Sequence, residues 1–240
     1  MKYLLLSILL LTTCGSNAQL IQDYLKKANI ALPSANTNLS SEQITNGLKE
    51  ALQIGAEKAC TQLSKPDGFL KNAALKIAMP PEAQKIESTL RSIGLGQIAD
   101  DFILSMNRAA EDACKTAGPI FLKAIKEMTI TDGITLLQGE DNAATNYLKT
   151  KTQKELAESF KPVISQSLDK VDATKYWGKV IEAYNAIPFT KNKLNPDLAG
   201  YVTDKSLTGI YTEMAAQEKE IRSNPMARTS ELLKKVFNKK

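Results

Sequence analysis

Apolar side chains recur at three- and four-residue spacing through most of this chain, and no run alternates with the two-residue period of a half-buried strand. The pattern predicts an all-α protein, a bundle-like domain of roughly nine to eleven helices. A short amphipathic piece over residues 20–29 leads into a loop around Pro33. Ser40 and Gln43 then form a capping box, and the helix behind it carries Ile44, Leu48, Leu52, Gly55, Ala59 and Leu63 on one side. Lys65 to Gly68 reads as a turn, and residues 69–79 are apolar but too short to assign. Pro80-Pro81 opens a helix that Gly94 closes. The next helix has Ile98, Phe102, Met106, Ala110, Ala113 and Ala117 on its apolar side, and Gly118-Pro119 should break it.

Further on, Thr131-Asp132 starts a short helix stopped by Gly139. Asp141 and Asn142 cap a segment reaching Leu148. Thr152 with Glu155 reads as a second capping box, opening a helix to about Leu168 that Pro162 should bend. Residues 174–186 form a helix around the single Trp, Trp177. A polar loop spans 187–196, after which Asn195-Pro196-Asp197 signals a helix start. That start leads through Tyr201 and Val202, a helix from about Thr203 runs to Arg222, and Asn224-Pro225 restarts a terminal one.

One apolar run has a different meaning. Met1-Lys2-Tyr3 supplies a positive charge, Leu4 to Leu11 is apolar except for Ser7, and small residues follow to Ala18. This is the order of a secretory signal, and it is far shorter than the ~20 residues of a spanning helix. Two processing routes are open: cleavage after Ala18, with Ser16 at −3, or lipidation of Cys14 within Leu11-Thr12-Thr13-Cys14. Either one predicts export to the periplasm or outer membrane of a bacterium. The boundaries expected are a signal over 1–18, a helix and loop over 19–39, and an all-helical domain over 40–240.

Residues 1–18 hold one Lys and no acid, so the formal charge falls from +5 to +4 in the remaining 222 residues. The basic residues are scattered, which argues against nucleic acid as a partner. No histidine is present. His-dependent triads and dyads are therefore excluded, no metal-ligand set or cofactor motif stands out, and the prior for an enzyme falls. Two cysteines outlast removal of the signal. Cys60 and Cys114 are either buried thiols or, in an oxidising compartment, a disulfide worth about 4 kcal/mol by the chain-entropy argument.

Two polar clusters stand out. In Met106-Asn107-Arg108-Ala109-Ala110-Glu111-Asp112, Asn107 shares a face with Glu111, and Arg108 shares one with Asp112. These residues either shape a polar pocket or form a surface ion pair beside an Asn that braces a neighbouring helix. The second cluster, residues 218–229, sets Arg222 and Arg228 around a helix break. There they could grip a carboxylate or phosphate, or pair with the protein's own Glu111, Asp112 or Asp132. Gly139 to Thr145 lacks the Lys-Ser/Thr of a phosphate loop and the ligand spacing of a calcium loop, so a helix end followed by a helix start accounts for it.

Several stretches together carry a resemblance: Gly47 to Leu52, Asp67-Gly68-Phe69, Met106 to Glu111, Gly139 to Tyr147, Tyr201-Val202-Thr203, Ile221-Arg222, and Asn224 to Thr229 with Leu232 to Phe237. In this order they resemble the bacterial secreted or lipoprotein family known as domain of unknown function 4197, over residues 40 to 238. The resemblance implies one domain in the cell envelope and brings no activity, cofactor or catalytic residue. Cys60 and Cys114 are not part of its pattern. The function expected is a non-catalytic structural or protein-interaction module. The alternative is a carrier for a small anionic or lipidic ligand held by Arg222 and Arg228, and a hydrolase using Glu111 and Asp132 is a distant third.

Overall fold

The Ser40 hydroxyl accepts the Gln43 N–H at 3.1 Å, and the Gln43 side chain accepts the Ser40 N–H at 2.8 Å. This reciprocal cap starts α1 (Ser41–Leu63) where the sequence puts it. The structure is a computed structural model describing residues 39–185 and 195–238. The leader, Cys14, the piece at 20–29 and most of the loop at 187–196 fall outside the described residues.

Among the described residues there are nine α-helices and no strand. After the turn at Asp67 (φ +69°), residues 69–79 form no helix. They run as turns and extended chain that bury Phe69, Leu75, Ile77 and Met79. A single 3₁₀ turn (Pro81–Ala83) precedes α2 (Gln84–Ser92), which ends at Gly94 with φ +80°, the left-handed cap expected there.

Two breaks differ from the sequence reading. Helix α3 (Gly96–Cys114) ends before Gly118-Pro119, which instead lie in the first turn of α4 (Ala117–Glu127). A proline is harmless there, because its missing N–H would have had no partner within the helix. The second expected break does not occur. After α5 (Ile130–Gln138), one helix, α6 (Ala143–Asp169), continues without interruption through Thr152 and contains Pro162. Thr152 is no cap. Its hydroxyl bonds the Leu148 carbonyl at 2.7 Å and the Tyr211 hydroxyl at 2.8 Å, inside the core. The chain finishes with α7 (Ala173–Asn185), α8 (Leu198–Ser223, capped by Asp197), a 3₁₀ turn (Pro225–Ala227) and α9 (Glu231–Val236, capped by Ser230).

Helices α6 and α8 pack along each other at the centre, α3 covers α6, and α1 covers α8 while also receiving α4, α5 and α9. Leu148, Leu156, Phe160, Ile164 and Leu168 give α6 an apolar ladder with no exposed surface. Ala109, Ala110 and Ala113 are equally buried, the small contact through which α3 can approach closely, and Ala117, just as buried, opens α4. Gly133 is where α5 meets α1: a Cβ there would fall 2.5 Å from the Thr45 hydroxyl. One expected burial fails. Ile98 is 56% exposed and Phe102 only half-buried, because the inward stripe of α3 is Ala99, Ile103, Met106 and Ala110.

Candidate functional site

The polar cluster of α3 faces the irregular segment 64–79. Asn107, fully buried, accepts the Ile77 N–H through Oδ1 at 2.9 Å and donates through Nδ2 to the carbonyls of Ile77 (2.9 Å) and Ile103 (2.7 Å). One carboxamide thus satisfies both backbone groups of a residue that no helix or strand supports. Beside it, Glu111 accepts the Phe69 N–H at 3.2 Å and the Arg108 guanidinium at 2.6 Å, and Arg108 reaches on to Asp67 at 2.7 Å. Lys71 and Arg108 together hold the Asp67 carboxyl below its ordinary range by hydrogen bonding. The Arg108–Asp112 pair expected from spacing does not form, since Asp112 bonds Lys115 and Ser167. Asn107 braces a loop segment rather than a helix.

The second cluster joins three helix ends. Glu218 of α8 accepts the N–H groups of Ala144 (3.1 Å) and Thr145 (2.7 Å) and the Thr145 hydroxyl (2.7 Å), all in the first turn of α6. One turn later, Arg222 pairs with Glu218 at 2.8 Å and donates to the carbonyls of Leu136 (2.8 Å) and Leu137 (3.1 Å) at the end of α5. A single ion pair therefore caps one helix start with an anion and one helix end with a cation, matching both macrodipoles. Arg228 closes α8 itself, donating to the carbonyls of Ile221 (3.1 Å) and Arg222 (3.0 Å). The expected partners Glu111, Asp112 and Asp132 take no part. Sequence reasoning found both arginines and missed Glu218. The only available sign was its i,i+4 spacing from Arg222.

Asp132 forms a capping box with Thr129 and accepts the Tyr147 hydroxyl at 3.3 Å. Burial pushes its carboxyl up, but the bonds from Thr129 and Tyr147 outweigh that and leave it below the ordinary range. It lies in an open cleft of about 370 Å³ with the Lys123–Glu155 pair and Lys151. Among the described residues it shares no hydrogen-bond partner with Glu111.

Cys60 and Cys114 are free thiols, Cys114 wholly buried and Cys60 partly. Burial raises the first to about 11 and the second well above its usual value, so neither offers a thiolate at neutral pH. Among the described residues no group of three or more His, Cys, Asp or Glu could hold a metal ion, and no helix is long and apolar enough to cross a membrane.

A small cavity of about 10 Å³ lies between Leu48, Leu52, Met214 and Phe237, barely one water in size. A larger feature is an open groove of about 590 Å³ between α3 and the α6–α7 junction, lined by Ile98, Phe102, Val171 and Tyr176. The Phe102 ring stacks on buried Trp177 at 5.9 Å, and the Trp177 indole N–H has no hydrogen-bond partner among the described residues.

These features define a class: an all-helical domain whose conspicuous polar groups secure its own loops and helix ends. Within that class the chain belongs to a particular family. Residues 38–238 match the family described as "Protein of unknown function (DUF4197)". No curated protein and no solved structure matches the chain.

Proposed function

We propose that this protein is a non-catalytic interaction module of the bacterial cell envelope, exported by its first eighteen residues and acting through its surface. One observation carries the reading. Asn107, Arg108, Glu111, Arg222 and Arg228, the residues best suited to gripping a ligand, are all engaged by the protein's own backbone and carboxylates. The start of α6 is the natural seat for a bound anion, and the Glu218 carboxylate fills it. A carrier using Arg222 and Arg228 would have to break three helix caps to take its ligand, and the cavity lined by their neighbours Glu218 and Ile221 is too small to hold one. Export rests on the order of Met1 to Ala18 and on the secreted or lipoprotein character of the family it resembles.

The test is native mass spectrometry of the processed chain purified from the envelope of expressing cells. The expected result is a mature chain beginning at Gln19 or at lipidated Cys14, with no small molecule in stoichiometric amount. An uncleaved Met1 would remove the envelope assignment. A retained stoichiometric amphiphile or anion would replace the module with the carrier.

A further inference from the structure

We infer that Cys60 and Cys114, thiols in this structure, are partners that close into one disulfide stapling α1 to α3 in the exported chain. The inference rests on the envelope reading above, because an oxidising compartment is what lets such a bond persist. Both cysteines stand at helix ends, Cys60 in the last turn of α1 and Cys114 as the last residue of α3. Those two helices touch, and the chain leaving α1 is tied to the last two turns of α3. There Arg108 holds Asp67 at 2.7 Å and Glu111 holds the Phe69 N–H at 3.2 Å. Cys114 lies wholly within the core, and Cys60 packs against that same core while keeping some exposure. Of the charges that act on Cys114, that of Cys60 is the strongest, ahead of Glu111 one turn away on the same helix. The two thiols are neighbours.

Either processing route leaves these as the two thiols able to pair, so only one intramolecular bond is possible. The oxidant is the disulfide of a second molecule, a thiol–disulfide oxidoreductase or glutathione disulfide. The Cys60 thiolate attacks it, forms a mixed disulfide and releases one thiol. The Cys114 thiolate then attacks the Cys60 sulfur and expels the second thiol, so the pair gives up two protons and two electrons. In the packed fold, burial keeps both thiols protonated. Exchange therefore belongs to the stage before α1 and α3 close on each other. Once formed, the bond is shielded from reductants by the complete burial of Cys114. The loop it closes, residues 60–114, contains the irregular segment 69–79 that Asn107 braces.

The experiment refolds the mature chain from Gln19 out of urea with oxidised or with reduced glutathione, traps free thiols with iodoacetamide and measures the intact mass. With oxidised glutathione the expected product is a monomer without alkylation, about 2 Da lighter than the dithiol. Digestion without reductant should yield one crosslinked peptide joining Cys60 to Cys114. The oxidised chain should melt about 10 °C above the reduced one by circular dichroism. Cys60→Ser should melt alike in the two buffers. Two alkylated cysteines after oxidation overturn the inference, as does a glutathione adduct held on Cys60 alone. A crosslinked chain that melts below the reduced one also overturns it, because the native fold then holds the two sulfurs out of bonding range. These masses are read on the purified chain, whereas the envelope reading fails on an uncleaved Met1 in cells, so the two fail separately.

Discussion

Asn107 shows how a residue can be legible in kind and not in role. Its place beside Ile103 and Ala110 announces a polar group at the edge of a buried stripe. Its partner, the backbone of Ile77, lies thirty residues away on a segment with no periodicity. Asn107→Ala would strand a buried N–H and a buried carbonyl, so urea unfolding should show a loss of about 2–4 kcal/mol. Asn107→Asp should cost at least as much, because an acceptor would then face the Ile77 and Ile103 carbonyls. A loss under about 0.5 kcal/mol in both would mean that segment 69–79 is held by apolar burial alone. Arg222 and Arg228 were readable in the same limited sense. Their partners are mainly backbone carbonyls, and carbonyls leave no mark in a sequence.

At the scale of elements, caps were easier to read than breaks. Ser40-Gln43, Gly94 and Asp197 act through residues three or fewer positions away, so the sequence contains the whole interaction. Thr152 misled because Thr-x-x-Glu has the same spelling at a helix start and inside one. What decides between them is the four-residue ladder from Leu148 to Leu168, which continues through Thr152 and meets Tyr211 of α8. Ile98 and Phe102 misled in the opposite direction. They share the apolar period of α3, yet α6 covers only the stripe beside them. Contacts between elements also rest on missing side chains. At Gly133 a methyl group would collide with the Thr45 side chain where α5 meets α1. Gly133→Ala should therefore lower stability by about 1–3 kcal/mol by thermal unfolding, the usual cost of overpacking. Thr45→Ala in the same chain should recover part of it.

For the whole molecule, the absence of histidine leaves a signature in pH. Asp67, Asp112, Asp132 and Asp197 are held below their ordinary range. Their contribution is present above about pH 4, the unfolded value, and is lost as pH falls through the lower folded values. Burial raises Cys60 to about 11 and pushes Cys114 well above its usual value, so their buried neutral forms favour the fold below the unfolded thiol value near about pH 8.5. That contribution fades as pH climbs toward the folded values. The melting temperature should be flat between about pH 5 and 8 and fall on both sides, and a step near about pH 6.5 would contradict the account. The central claim is that the Glu218–Arg222 pair ties α5, α6 and α8 together and binds nothing else. Its most direct test is the unfolding free energy of Arg222→Ala. The account predicts a loss of about 3–5 kcal/mol, because a buried Glu218 carboxylate and two helix-end carbonyls lose their partner. A variant with wild-type stability that has lost a bound anionic or lipidic molecule would contradict it.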